Sequence, residues 1–165
     1  MQTSDLTGLL VAVLVLAGAT AYGLWRRGRA GRLRPVAAAA DRDPAVSSDT
    51  LAHDTGQHVD PVLLAGLGVE PGAPVTLLQF SSAFCAPCRA TRRVLTEVSG
   101  VLDGVRHVEI DAESHLDAVR ALDVWKTPTV LVIDHRGRVV QRATGVPAKA
   151  QVIAAVAPLL TGVRP

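Results

Sequence analysis

The longest apolar stretch of the chain lies near its beginning, between Leu6 and Trp25, and contains no charged residue. As an α-helix, these 20 residues would extend about 30 Å, which is the thickness of the hydrocarbon core of a bilayer. Tyr22 and Trp25 lie at the end of the stretch, where aromatic side chains favour the membrane interface. The pattern therefore predicts one transmembrane helix at residues 6–25, preceded by a tail at residues 1–5. A cleaved signal peptide and a buried core helix are the alternative interpretations.

Several arginines closely follow this stretch, whereas residues 1–5 contain neither Lys nor Arg. Positive residues beside a membrane span are retained on the cytoplasmic side, while a signal peptide carries them before its apolar run. We therefore expect a single-pass membrane protein, attached through Leu6 to Trp25, whose domain faces the cytoplasm. Residues 26–49 show no sustained amphipathic period and are predicted to be a juxtamembrane linker. The arginines are Arg26, Arg27, Arg29, Arg32 and Arg34.

From residue 50 onwards, short apolar runs alternate with segments of helical periodicity. The pattern predicts an α/β domain at residues 50–165 in the order β-α-β-α-β-β-α, with three helices around a mixed central sheet. Residues 50–74 carry the weakest signal, and we expect there a hairpin between 50–53 and 57–59 and one or two helical turns at 61–67. Strands are predicted at 75–80, 106–110, 129–133 and 138–142, and helices after Cys88, after a capping Ser114 and at 148–160.

The composition limits the classes of function. The 17 Lys and Arg residues against 15 Asp and Glu residues give a net charge of +2. Because no basic pattern interleaved with aromatic residues is present, neither a nucleic acid nor an acidic partner is indicated. The chain contains two cysteines, Cys85 and Cys88. One pair this close in sequence cannot staple a small fold, so its placement indicates redox chemistry or metal binding.

Both cysteines lie where a predicted strand ends and a predicted helix begins. Unpaired backbone N–H groups and the helix dipole favour negative charge at that point. A thiolate at Cys85 would be stabilised there and nucleophilic near neutral pH. Cys88, one turn into the helix, would be shielded and still able to reach the Cys85 sulfur.

This arrangement resembles the thioredoxin family over about residues 75–160. The resemblance is carried by Phe80, the run from Phe84 to Arg89 that contains the two cysteines, Asp111, Thr127-Pro128-Thr129 and Gly145. It implies the thioredoxin-like fold and exchange of disulfides with protein substrates, in which Cys85 attacks and Cys88 resolves the mixed disulfide. Pro128 is expected to be cis and to face the cysteines. The backbone of Thr127 would pair with the substrate chain, beside Phe84, Ala86 and Pro87.

Some positions depart from the family pattern. Phe84 replaces the usual Trp, and Ala86 replaces the usual Gly. Gln79 stands where the family often has a buried Asp, and His107 stands where that Asp has its Lys partner. We expect Gln79 and His107 to pair, and we hypothesise that His107 accepts the Cys88 proton. The alternative is a hydrogen-bonded histidine without a catalytic role.

The expected function is that of a membrane-tethered thiol–disulfide oxidoreductase, acting as a reductase on protein disulfides or thiols. No cofactor and no metal is implied, but an electron donor, which the sequence does not identify, is required. One alternative is an extracytoplasmic reductase of secreted proteins or apocytochromes, and another is a non-catalytic docking module with this fold. A zinc site formed by His53, His58 and the two cysteines is the metal alternative.

Overall fold

The computed structural model describes residues 2–29, 31–36 and 56–162. The chain divides into two compact units, Met1–Ala30 and Gly31–Pro165. The first unit is the helix α1 (Gln2–Arg29), in which Gly8–Trp25 has a mean hydropathy of 1.9 and exposes its apolar side chains. This helix is long and apolar enough to cross a membrane, although a signal sequence passes the same test. It begins at Gln2 and ends at Arg29, so it extends into both the predicted tail and the predicted linker.

The second unit contains a mixed sheet and four helices within its described residues. In chain order, the elements are β1 (Arg34–Pro35), β2 (Gln57–His58), α2 (Pro61–Gly66), β3 (Val75–Ser81), α3 (Ala86–Val101), β4 (Val105–Asp111), α4 (Leu116–Ala121), β5 (Thr129–Asp134), β6 (Arg138–Thr144) and α5 (Lys149–Thr161). The strand order is β1-β6-β5-β3-β4, and β2 also pairs with β6. Among these strands, β3 and β4 pair in parallel, and the other pairs are antiparallel.

The sheet separates two hydrophobic clusters. On one face, Leu78 and Phe80 of β3 pack with Leu131 of β5 and with buried residues of α2 and α4. On the other face, Leu77 packs with α3 and α5 through residues such as Leu95. Every residue of β3 is buried, because helices cover both faces of this central strand. Each large apolar side chain buried in this way contributes about 1.5–3 kcal/mol to folding. The strand that leads to the cysteines is therefore held firmly from both faces.

The predicted order β-α-β-α-β-β-α and the mixed sheet are confirmed from β3 to α5. The predicted helical turns at 61–67 are also present, as α2. The prediction that Ser114 caps α4 is wrong, because the cap is His115 and the Ser114 hydroxyl donates to Asp111 instead. The last helix begins at Lys149, one residue later than predicted.

Two short strands account for the other differences. Arg34 and Pro35, which lie in the predicted linker, pair with Arg142 and Gln141 of β6. Gln57 also pairs with β6, whereas the hairpin partner predicted for it at 50–53 lies outside the described residues. The edge of β6 therefore carries both segments.

Candidate functional site

The two cysteines lie at the junction of β3 and α3, as predicted. Cys85 is the N-cap of α3, and its sulfur accepts a hydrogen bond from the backbone N–H of Cys88 at 3.1 Å. Pro87 occupies the first turn of the helix. The backbone N–H that proline lacks would have had no partner within the helix at this position. The Cys85 sulfur thus lies at a helix N-terminus, where the Cys88 N–H and the helix dipole stabilise negative charge on it.

Cys85 and Cys88 are joined as a disulfide, with their Cα atoms 5.2 Å apart. Cys88 is only 2 % exposed, whereas Cys85 is partly exposed. A partner molecule therefore reaches the sulfur of Cys85 before that of Cys88. This is the order of access that attack at Cys85 requires.

The peptide bond between Thr127 and Pro128 is cis, as predicted. Pro128 is buried and Thr127 is partly exposed. The Thr127 hydroxyl lies 3.1 Å from the hydroxyl of Ser82, which precedes the cysteines. On its other side, the Pro128 carbonyl accepts a hydrogen bond from Gly145 N–H at 2.8 Å. The structure therefore brings the cysteine loop, the proline loop and the loop around Gly145 together.

The rim of the site is apolar and open. Phe84 is 100 % exposed, and Ala86 and Pro87 are exposed beside it. Phe84 therefore projects into solvent. Trp125, which was not among the residues predicted for the site, is 87 % exposed three residues before Pro128. The sequence feature that could have identified Trp125 is its place in a short loop ahead of Thr127-Pro128. A large exposed aromatic side chain there suits a contact with another molecule.

The position of Trp125 is set by polar contacts. Its indole N–H donates to the Asp123 carboxylate at 2.5 Å. The Arg142 guanidinium of β6 donates to the carbonyl oxygens of Leu122 at 2.5 Å and Asp123 at 2.7 Å. These bonds hold the loop that ends in the cis proline.

A partly buried polar cluster lies beneath Cys88. Gln79 is completely buried, and its amide Nε2 lies 3.1 Å from the carbonyl oxygen of Cys88 and 2.7 Å from the hydroxyl of Ser81. The predicted pairing of Gln79 and His107 is present, with His107 Nε2 3.2 Å from Gln79 Oε1. Since an amide oxygen only accepts, His107 Nε2 carries the proton in this pair. Gln79 therefore lies between His107 and the backbone of Cys88.

Glu109 completes this cluster, and it too was not predicted from the sequence. Its Oε1 accepts from Ser81 Oγ at 2.5 Å and from Gln79 Nε2 at 3.1 Å. Arg92 of α3 forms an ion pair with the same carboxylate and donates to Oε1 at 2.9 Å. The register between the two strands would have identified Glu109, because this residue is directly opposite Gln79 in the parallel β3–β4 pair. A carboxylate is thus present near Cys88, supplied by β4 and not by β3.

The charges of this cluster influence one another. Burial lowers the pKa of His107, the Glu109 charge raises it in part, and Arg92 lowers it further, so that it lies below its ordinary value. Burial alone would raise the pKa of Glu109, but the bonds from Arg92 and Ser81 and the positive charges nearby outweigh burial and lower it. Near neutral pH, the cluster therefore contains an ionised Glu109 and a neutral His107.

The four residues of the metal alternative do not form a described cluster. His58 lies in β2, and His53 lies outside the described residues. Within residues 2–29, 31–36 and 56–162, no group of three or more His, Cys, Asp or Glu side chains is arranged to hold a metal ion.

Comparisons with known proteins agree with this geometry. The family model described as Thioredoxin matches residues 69–158. Among solved structures, a chloroplastic thioredoxin z has 23% identity and a TM-score of 0.52, covering 64% of this chain and 94% of its own. A thioredoxin mutant from Halobacterium salinarum has 17% identity and a TM-score of 0.51, covering 62% and 87%. The Schistosoma mansoni thioredoxin pre-protein has 20% identity and a TM-score of 0.50, covering 61% and 91%. These identities show a shared fold, and the search of curated proteins gives no match.

Acid is expected to lower the free energy of unfolding through the burial of His107. The folded-state pKa of His107 lies below its ordinary value, whereas in the unfolded chain the pKa returns to about 6.5. The unfolded state therefore binds the proton more readily. The stability that depends on neutral His107 is present above about pH 6.5 and is lost as the pH falls toward the folded-state pKa.

Chemical denaturation between about pH 8 and pH 5, above the range in which ordinary carboxylates titrate, measures this effect. His107→Gln is expected to lose less stability across that window than the wild type. His135→Gln, at an exposed position, serves as the control and should follow the wild type. If all three proteins lose stability equally, the burial of His107 does not contribute to acid sensitivity.

Proposed function

The chain belongs to the thioredoxin family, and from that premise we propose that it is a membrane-tethered reductase of protein disulfides. A family member with an intact Cys-x-x-Cys pair is a thiol–disulfide oxidoreductase, and the finer assignment concerns tethering, direction and substrate. The single observation that carries the proposal is the partly exposed Cys85 at the N-terminus of α3, joined to the shielded Cys88 in a loop whose Ser82 contacts Thr127 beside the cis Pro128.

The proposed reaction begins with the reduced pair. The Cys85 thiolate attacks one sulfur of a substrate disulfide, a Cys85–substrate bond forms, and the second substrate sulfur leaves as a thiolate that takes up a proton. The Cys88 thiolate then attacks Cys85, so that the Cys85–Cys88 disulfide forms and the first substrate sulfur is released as a thiol. Two electrons pass from the cysteine pair to the substrate. A dithiol or another two-electron donor must return them to the pair before the next turnover.

The substrate segment is proposed to lie across the open rim. Phe84, Ala86 and Pro87 provide exposed apolar surface on one side of Cys85, and Trp125 precedes the proline loop. The backbone of Thr127 would pair with the substrate chain beside the cis Pro128. An extended polypeptide suits this surface, because backbone pairing tolerates many sequences while the aromatic residues contribute most of the contact energy.

Single serine replacements test the roles of the two cysteines. Cys85→Ser is expected to abolish reduction of insulin disulfides, because no thiolate remains to attack. Cys88→Ser retains the attacking thiol but cannot resolve the intermediate, so the mixed disulfide should accumulate and be detectable by mass. Ala90→Ser, which adds a hydroxyl at an exposed position of α3, is the control and should retain turnover. A Cys85→Ser protein that still reduces insulin would exclude this mechanism and the assignment of Cys85.

Release of the substrate requires the Cys88 thiol to lose its proton. We propose that this cluster receives it, at the Glu109 carboxylate or at the unprotonated Nδ1 of His107, while Gln79 holds both groups and the Cys88 backbone together. The support is the chain of hydrogen bonds from His107 through Gln79 to Glu109, and the influence of each charge on the pKa of the other. Because each group influences the pKa of the other, their titrations are coupled and their response to pH belongs to the pair.

Single-turnover release of reduced substrate, measured across pH, tests this proposal. His107→Gln and Glu109→Gln are each expected to slow release by roughly tenfold or more near neutral pH and to change its pH dependence. Glu97→Gln removes an exposed carboxylate of α3 and should leave the profile unchanged. If His107→Gln has the wild-type pH dependence, His107 takes no part, and the same result for Glu109→Gln removes Glu109.

The proposed location is the cytoplasmic face of a membrane, with α1 as the anchor. The arginines that follow the apolar segment favour that side. The cytosol keeps thiols reduced, which supports the reductase direction. On the opposite side, the protein would be an extracytoplasmic reductase whose electrons come from a membrane carrier.

Protease access to a tag placed after Pro165 distinguishes the two orientations. In spheroplasts of a bacterial expression host, the tag is expected to be protected until the cells are lysed. A protease site placed before Met1 provides the matched control and should be cleaved in intact spheroplasts. Cleavage of the tag after Pro165 in intact spheroplasts would contradict the cytoplasmic placement and favour the extracytoplasmic reductase.

A further inference from the structure

Gly31, the first residue of the second unit, has a backbone conformation and a contact that admit only glycine. Its φ is +83°, and its N–H donates to the Thr144 carbonyl at 2.7 Å. A Cβ at this position would lie 1.9 Å from the carbonyl oxygen of Val146 and 2.5 Å from its carbonyl carbon. Both atoms belong to the backbone, so no side-chain rotation relieves the clash. The fit of Gly31 against residues 144–147 is therefore intolerant of any side chain.

The residues that follow Gly31 continue along the edge of the sheet. Arg34 and Pro35 pair with β6, and Val36 N–H donates to the Val140 carbonyl at 3.0 Å. Leu33 and Val36 are partly buried against the two hydrophobic clusters. The segment 31–36 is thus built into the domain by hydrogen bonds and by apolar contacts, and it does not behave as a free linker.

The loop that Gly31 contacts borders the functional site. Within it, Gly145 N–H donates to the Pro128 carbonyl at 2.8 Å, and Thr144 pairs with Thr129 directly after the proline. Thr127 in turn reaches the hydroxyl of Ser82 ahead of the cysteines. A continuous series of contacts therefore leads from Gly31 through the Gly145 loop to the cis proline and the cysteine loop.

We propose that Gly31 is a positioning residue for thiol–disulfide exchange. By holding residues 144–147 in place, it keeps the cis-proline loop where a protein substrate pairs with Thr127. This inference rests on the proposed function, because it concerns the same site. A protein substrate needs the cysteine, proline and Gly145 loops in their correct relative positions, whereas a small disulfide needs only the Cys85 sulfur. Disturbing Gly31 should therefore affect the two kinds of substrate differently.

Gly31→Ala in the full-length protein in detergent micelles tests the proposal, with Gly72→Ala as the matched control. Gly72 has a similar φ of +88°, but a Cβ added there would meet no neighbouring atom within 4 Å, so its replacement introduces the backbone strain without the clash. Gly31→Ala is expected to raise the KM for insulin roughly 3- to 10-fold over Gly72→Ala, because small displacements of a docking loop weaken productive binding. The rate at which the reduced enzyme reacts with the small disulfide DTNB should stay within about twofold in both variants.

Hydrogen–deuterium exchange gives a readout that does not depend on activity. In Gly31→Ala, the Gly145 amide should exchange faster than in the wild type, because its bond to the Pro128 carbonyl is weakened. In Gly72→Ala, the exchange of this amide should match the wild type. Equal exchange at Gly145 and equal KM values in all three proteins would overturn the inference.

A second variant covers the case in which Gly31→Ala does not fold, as judged by thermal unfolding. Val36→Pro removes the N–H that bonds to Val140 at the other end of the segment, and it should also raise the KM for insulin and the exchange rate at Gly145. Wild-type values for both would overturn the inference. If the wild-type protein reduces neither insulin nor DTNB, the proposed function fails. If it reduces both and the variants do not differ, only the role of Gly31 fails.

Discussion

The parallel, in-register pairing of β3 with β4 is the constraint on which the site depends. It places Gln79 opposite Glu109, with His107 two residues earlier on β4. It also encloses β3 between β4 and β5, so that the strand leading to Cys85 is buried throughout. A shift of one residue in this register would turn the side chains of β4 to the opposite face and separate Glu109 from the cluster beneath Cys88. The register therefore determines both the core and the electrostatics of the cysteine pair.

This pairing explains how the chain accommodates an uncharged Gln79 at a position where related proteins often have an aspartate. The buried amide cannot ionise, but it has both donors and an acceptor and therefore links groups that do ionise. Glu109 brings the negative charge from the neighbouring strand, and Arg92 of α3 compensates it. Arg92 lies one turn after Cys88, so the charge of the carboxylate is balanced from the helix that carries Cys88. Burial of the cluster then costs less than burial of an unpaired carboxylate would.

The sequence predicted the elements whose signals are local. The apolar run before Cys85 and the helical pattern after Cys88 were sufficient for the strand–helix junction, whereas the cis conformation of Pro128 was expected from the resemblance to the thioredoxin family. Glu109 was missed because strand register is a long-range property that periodicity does not reveal. The segment 31–36 was interpreted as part of a linker, since a two-residue strand has no periodic pattern of its own. Ser114 has the residue type of a helix cap, but its hydroxyl bonds to Asp111, and this local competition displaced the helix start.

The short strands on β6 have a consequence for association between molecules. An uncovered edge strand presents a row of free N–H and C=O groups, and these can pair with the edge of a second molecule. Here β2 pairs with Arg138 and Val139, while β1 pairs with Gln141 and Arg142. Together they occupy most of the outer edge of β6 with segments from the same chain. A proteolytic cut after Val36 would leave β1 held to the domain by non-covalent contacts alone, and its departure would open the half of this edge nearest Thr144 to intermolecular sheet formation.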